Sequence, residues 1–588
     1  MPNLNTITHI EPNIAEKVNY FADYFQFTNH RLGKFSSIQV ENPLSLVEKI
    51  IHQMETNVER STPYLKNYFS NSFFSKTEFL ERFPSGNACN LNIERYLSNE
   101  LSKSKRNNFI KDNPLFLPEL KSLANELKEN IIDETLSALV SLLRCRHKLR
   151  HHIEGINFCT LILVTEFRYR NYSEKDIRDV ISKIMSKDID KFPFPIEIKE
   201  KSNQVDYDKL REEHVRTRGF KGQFLGIKSL IEKESNTCYL LFRINNLSST
   251  YKDFKLIYDD VTFISPYHSE IRLVRSSAKK DLFSKEFFQS KNKFIIGYTQ
   301  VEFYSHEMAK SIAIDKIQNA VNYLNRKMKS ESKLDSDFHL ISKDFTACGS
   351  GRTYKANLKK IDKVDFLRLD DNPFSYFDNL SSNTIKPFLF FEHDYQKAIL
   401  ENDVSKLWQY LENVIMTNPS FEKKKKNVIS NIILLNYRKY SKNQLRIDFV
   451  NTVSGFNIAP ASIGLTSKEQ QFIMRNPMTI NPNNYKKKIK RPFVSELIKL
   501  YQKNASKRNL SQVKEYYMSL LTEGYELRNM MIHRGEAHPK VEMKMKLLFP
   551  LLVTRFRKNI IDELKKYDGT DFSEVLVKLN ERGMSLLA

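Results

Sequence analysis

The amino-acid sequence predicts an α+β protein that is mainly α, with an N-terminal helical region, a central antiparallel β-rich domain and a C-terminal helical bundle. Three observations carry this expectation. Apolar residues recur at helical spacing at both ends of the chain, and short runs of β-branched and aromatic residues cluster between them. Gly and Pro number only 15 and 19 in 588 residues, too few for a collagenous or low-complexity chain. With 40% hydrophobic and 12% aromatic residues, the chain can bury enough apolar surface to offset ordering entropy, which excludes a disordered protein.

In chain order, the spacing of Leu44, Val47, Ile50 and Ile51, and then of Leu120, Leu123, Leu127, Ile131, Leu136, Val140 and Leu143, predicts helices up to His152. After Gly155, strands are expected at Phe158–Tyr169, Cys238–Ile244, Phe254–Ile264, Ile271–Val274 and Phe294–Tyr304. A helix with Met308, Ile312, Ile317, Val321, Leu324 and Met328 on one side closes this region. The polar stretch that follows, with Gly349-Ser350-Gly351 and Asp370-Asp371-Asn372-Pro373, reads as a connector. Further helices are expected around Leu400–Ile415 and Val428–Leu435, from Pro492, at Leu510–His533 and at Val541–Tyr567. The expected domains are therefore 1–154, 155–334, a connector 335–384, and a bundle 385–588.

Lys and Arg total 93 against 70 Asp and Glu, a net charge of +23 that points to a polyanionic partner. The cysteines, Cys89, Cys145, Cys159, Cys238 and Cys348, form no Cys-x-x-Cys pair, so neither a disulfide framework nor a zinc ribbon is expected. The apolar run Thr160–Val164 is far short of the ~20 residues that span a bilayer, and the N-terminus lacks the basic and apolar regions of an export signal. A cytoplasmic protein with no membrane segment is expected.

Chemistry concentrates in Tyr525-Glu526-Leu527-Arg528-Asn529-Met530-Met531-Ile532-His533-Arg534-Gly535. At 100° per residue, Val513, Tyr517, Leu520, Leu521, Gly524, Arg528, Met531 and Ile532 form one stripe, which places Arg528 on the buried face. Asn529 and His533 are four apart, so the amide can orient the imidazole. Gly535 is a helix stop that leaves His533 in the last turn. Such a pair suits RNA cleavage without metal. A histidine can take the proton of a ribose 2′-OH or give one to the departing 5′-oxygen, while an arginine neutralises the charge that builds on the phosphoryl oxygens. The plainer alternative is a buried Arg paired with a carboxylate beside a surface His, since a lone Arg and His are a weak motif.

The frame aromatic-x-x-Arg-Asn-x-x-Ile-His-x-Gly resembles the signature of the HEPN superfamily of ribonucleases, in particular the C-terminal domain of ApeA-like and other abortive-infection proteins. Lys406-Leu407-Trp408-Gln409-Tyr410-Leu411-Glu412 is similar to an upstream helix of the same domains. The resemblance covers roughly Phe390 to Lys566. It implies a HEPN-type helical bundle that forms a homodimer through the C-terminal domain, with Arg528 and His533 as the active pair and Glu412 either holding Arg528 or standing as a solvated carboxylate. It also implies an anti-phage or toxin endoribonuclease acting on RNA such as tRNA or mRNA, with the N-terminal two-thirds sensing a signal or restraining the nuclease.

A second Arg/His spacing occurs at Arg146 and His151. Paired motifs near both ends of a chain resemble type VI CRISPR effectors, whose composite site works with a guide RNA. That alternative is not favoured, because a β region is expected directly after His151, and the residues read more simply as the basic last turn of a helix. Lys423, Lys424, Lys425 and Lys426, and Lys486, Lys487, Lys488, Lys490 and Arg491, are expected to dock RNA, with Tyr437 and Tyr440 available to stack on bases. A non-catalytic RNA-binding scaffold is the remaining alternative. No metal-ligand spacing and no phosphate-binding loop is present, so neither a metal nor another cofactor is expected.

Overall fold

A computed structural model describes residues 12–32, 41–56, 115–170, 172–186, 192–194, 204–217, 219–232, 236–249, 251–271, 287–288, 294–303, 306–328, 332–342, 346–349, 382–400, 402–453, 466, 468–469, 471–472, 492–504, 507–534, 538–566 and 571–587. The protein is mainly helical, with a central antiparallel sheet between helical regions.

The first helices are α1 (Pro12–Arg31), α2 (Pro43–Thr56), α3 (Phe116–Arg144), α4 (Ile153–Tyr169), α5 (Glu174–Ile184), α6 (Gln204–Thr217) and α7 (Phe220–Ile231). Helix α4 corrects the strand expected at Phe158–Tyr169. It packs between α1 and α3 and is buried all round from Phe158 to Phe167, so its apolar run is continuous and carries no period that separates helix from strand. Its threonines suit the helix too: Thr160 donates to the Ile156 carbonyl at 2.6 Å and Thr165 to that of Leu161 at 2.9 Å.

Six strands follow: β1 (Asn236–Asn245), β2 (Lys255–Tyr258), β3 (Val261–Ile264), β4 (Phe294–Phe303), β5 (Lys333–Ser342) and β6 (Thr346–Gly349). Their order is β2-β3-β4-β1-β5-β6, antiparallel throughout, with Leu241 opposite Tyr298 on β4 and His339 on β5. Helix α8 (His306–Met328) covers one face, where Leu240, Phe242, Ile244 and Phe263 meet Ala313, Ile317 and Val321. Two expectations change here. The connector begins as β5 and β6, because residues 338–342 and 333–334 pair with β1 on either side of a bulge, and its remainder, 350–381, lies outside the described residues. Ile271 closes a short 3-10 turn, and the rest of the strand expected there also lies outside them.

The last helices are α9 (Ser382–Leu400), α10 (Val404–Met416), α11 (Lys425–Leu434), α12 (Tyr437–Val453), α13 (Pro492–Asn504), α14 (Lys507–Arg534), α15 (Pro539–Leu564) and α16 (Phe572–Ser585). Asn402 takes the left-handed φ of 48° that ends α9, and the Asp403 carboxylate caps α10 by accepting from the Ser405 and Lys406 amides.

The chain divides into two compact units. Residues 232–373, with 170–176, form the sheet unit, and residues 1–169, 177–231 and 374–588 form the helical one. The N-terminal helices and the C-terminal bundle, expected as separate domains, thus build one unit, and the sheet unit starts near 232 rather than at 155. Arg31 on α1 binds Asp448 on α12 through Nε at 2.8 and 2.9 Å and Nη2 at 2.6 Å, and Tyr501 on α13 donates to the same carboxylate. Phe493 on α13 packs among Tyr20, Tyr24 and Phe27.

Candidate active site

Helix α14 carries the Arg/His motif and ends at Arg534, one residue before Gly535. Val513, Tyr517, Leu520, Leu521 and Gly524 are buried as the stripe required. Beyond Gly524 the buried face turns to Leu527 and Met530, while Met531 and Ile532 are 41% and 55% exposed. Arg528 therefore sits at the rim of the apolar face, with 29% of its side chain exposed, rather than within it.

Close helix packing delivers its partner. A Cβ on Gly524 would lie 2.4 Å from the Phe549 ring, so glycine is what lets α15 approach α14. Trp408 on α10 fills the angle, its ring 5.5 Å from Tyr525 and 6.1 Å from Phe549. One turn beyond Trp408 comes Glu412, and three residues beyond Tyr525 comes Arg528. Glu412 Oε2 lies 4.0 Å from Arg528 Nη2, and its Oε1 accepts from Lys425 Nζ at 2.9 Å. Glu412 is thus in position to hold Arg528, rather than being a carboxylate left to solvent.

Asn529 Oδ1 accepts from Arg528 Nη1 at 3.1 Å, which leaves its Nδ2 as the donor for orienting a histidine. His533 lies in the last turn of α14, and its side chain is outside the described residues. The lysine run divides. Lys423 and Lys424 are exposed, while Lys425 turns to Glu412 on α10 and Lys426 folds against α14, with Lys426 Nζ 5.0 Å from the Tyr525 ring centre and 3.3 Å from Thr522 Oγ1. Burial lowers the Lys426 pKa. Lys486, Lys487, Lys488, Lys490 and Arg491 lie outside the described residues. The tyrosines do not serve as expected: Tyr437 is buried against Tyr517, and Arg555 stacks 3.8 Å over Tyr440.

Arg146 and His151 are exposed on the elbow between α3 and α4, beyond the end of α3 rather than in its last turn. His151 Nε2 accepts from Arg150 Nε at 3.1 Å. The β region expected after this motif is absent, so that ground for setting it aside falls, but α4 supplies another. Its far end, Tyr169, lies under Lys540 in the first turn of α15, 5.0 Å from the ring centre, and the elbow stands at the opposite end of α4, roughly 24 Å from Tyr169.

A second cluster went unforeseen. Glu41, Lys49 on α2, Glu523 on α14 and Lys544 on α15 form a buried ring of ion pairs at 2.6–3.2 Å. Burial alone would raise the Glu41 pKa, but Lys544 and Lys49 pull it down to about 2. Burial raises Glu526 to about 8, Lys49 offsetting only part of it, and its Oε2 has no hydrogen-bond partner among the described residues. Acidic residues interrupting the run Leu520, Leu521, Leu527, Met530 were the available signal. Among the described residues, no cluster of His, Cys, Asp or Glu is suited to a metal and no helix is long and apolar enough to cross a membrane.

Comparison with family models, with characterised proteins and with solved structures finds no match.

Proposed function

We propose that the chain is a metal-independent endoribonuclease of the HEPN type, with Arg528 and His533 as its catalytic residues. The observation that carries this reading is the placed Arg528: a partly exposed guanidinium, hydrogen-bonded to Asn529 and 4.0 Å from Glu412, one and a half turns before His533 on a single helix. In the reaction the 2′-OH loses its proton to a base and attacks phosphorus, the P–O5′ bond breaks, and the 5′-oxygen takes a proton. The products are a 2′,3′-cyclic phosphate and a 5′-hydroxyl. Arg528 neutralises the phosphoryl oxygens in the transition state, and His533 is the base or the acid.

Each chain supplies one such histidine, so a two-fold partner provides the other. Exposed Met531 and Ile532 at the motif end, with Leu547 and Leu551 on the next helix, support self-association there. The buried ion-pair ring that ties α2 to α14 supports control of the nuclease by the N-terminal helices. The expected role is anti-phage or toxic cleavage of cellular or phage RNA.

His533→Ala should abolish RNA cleavage and toxicity on expression while leaving the thermal unfolding profile unchanged. Cleavage by the wild type should survive excess EDTA. Equal behaviour of the two proteins at equal abundance would leave the scaffold reading, which the engagement of Arg528 by two polar neighbours also accommodates. Arg146→Ala with His151→Ala should keep most activity, because the length of α4 separates that elbow from Tyr169, which lies at the first turn of α15; a loss as large as that of His533→Ala would instead restore the composite, guide-dependent site.

A further inference from the structure

Glu412 is engaged by two cations at once. Its Oε1 accepts from Lys425 and its Oε2 faces Arg528, so the three groups carry one net positive charge. An ion pair that served only to hold α10 against α14 would be complete with one cation. The surplus sits at side chains 22–29% exposed, where solvent screening is reduced but a ligand still has access. The fold builds this arrangement deliberately. Lys425 is the first residue of α11, directly after the 3-10 turn Pro419–Lys424, and that change of helix type turns it inward while Lys423 and Lys424 stay outside. Lys426, by contrast, is committed to Tyr525 and Thr522 and forms a wall of the site.

We propose that Lys425 is a substrate-binding residue of the active site, whose ammonium takes an RNA phosphate next to the one held by Arg528, and that Glu412 is the shared positioning residue presenting both cations. The inference deepens the ribonuclease reading and rests on it for the identity of the polyanion. It assigns different work to four consecutive lysines: one binds at the reacting centre, one lines it, and two serve the outer surface. A phosphodiester is the chemistry that fits, since it offers a single negative charge per unit and repeats along the strand. Lys425 supplies a point charge that follows either of two phosphoryl oxygens, whereas the planar guanidinium of Arg528 fixes one geometry.

The test separates binding from cleavage. Affinity for fluorescein-labelled oligouridylate is measured by anisotropy across a salt series, with His533→Ala present in every protein so that no RNA is cut. Lys425→Ala should weaken binding about tenfold, the loss of one charge-assisted hydrogen bond, and flatten the log Kd against log salt slope by about 0.7, one phosphate contact to a single strand. Lys425→Arg should recover most of both. Lys499→Ala, which removes a lysine paired within α13 to Glu496, should change neither. With His533 restored, Lys425→Ala should raise KM about tenfold at a kcat within about twofold, while Glu412→Gln should lower kcat as well, because it also frees Arg528. Unchanged affinity and slope in Lys425→Ala, with its unfolding profile intact, would overturn the proposal, as would absence of any RNA binding. If the wild type binds with the expected slope, loses it in Lys425→Ala and yet never cuts RNA, the nuclease reading fails while the phosphate site stands.

Discussion

At the scale of single residues, the helical unit places carboxylates where their surroundings decide their charge. Glu41 has two lysines and stays ionised, whereas Glu526, two residues before Arg528, is half-buried with no hydrogen-bond partner for Oε2 among the described residues, and desolvation raises its pKa to about 8. A carboxyl with a raised pKa binds more protons in the folded than in the unfolded state. The stability it confers is present below pH 4.5 and is lost as pH rises towards about 8. Glu526→Gln should therefore match the wild type in melting temperature near pH 5 and exceed it at pH 8. A variant less stable than wild type at pH 8 would mean that the ionised carboxylate finds a partner after all. The spacing of Arg528 and His533 was visible in the sequence, and both lie on α14 as that spacing required. Glu526 was not, because its state depends on the tertiary packing over α14, which the period of a single helix does not report.

Among the elements, α14 shows how a helix can be correct in the sequence while its orientation is not. Its span was plain from periodicity, but Met531 and Ile532 belong to the exposed surface, since the apolar face drifts toward Leu527 and Met530 as the helix leaves its neighbours. Helix α4 was misread for the opposite reason: buried all round, it has no polar face to mark a period. The Gly524 seam can be tested directly. Gly→Ala in a helix normally gains about 1 kcal/mol. Here the added methyl meets the Phe549 ring, and overpacking of this kind costs about 1–3 kcal/mol, so Gly524→Ala should lower the denaturant midpoint. Phe549→Leu in the same protein should return part of the loss. A raised midpoint in Gly524→Ala alone would show that α15 yields without penalty.

For the whole molecule, the two helical segments at opposite ends of the sequence share one core, which periodicity could not reveal because it reports each helix and not its neighbour. The pairs Arg31–Asp448 and Lys49–Glu523 and the rings around Phe493 all join residues more than 400 apart. Residues 374–588 expressed alone should be insoluble or molten, since Asp448 and Glu523 would lose buried partners. Within the intact chain, Lys544→Ala should cost about 3–5 kcal/mol, because two buried carboxylates, Glu41 and Glu523, would be left with Lys49 alone between them. A soluble fragment with a cooperative melt would contradict the shared core.

That discontinuity also sets a clock on synthesis. Between the end of α2 and the start of α13 the ribosome must add more than 430 residues, roughly 20–90 s at ordinary translation rates. During that time α1 and α2 can pair with α4 and α3, but Tyr20, Tyr24 and Phe27 still wait for Phe493. The same order holds for the candidate site: Arg528 and His533 emerge after α10, α11 and α13, and of the helices packed most closely on α14 only α15 is still to come.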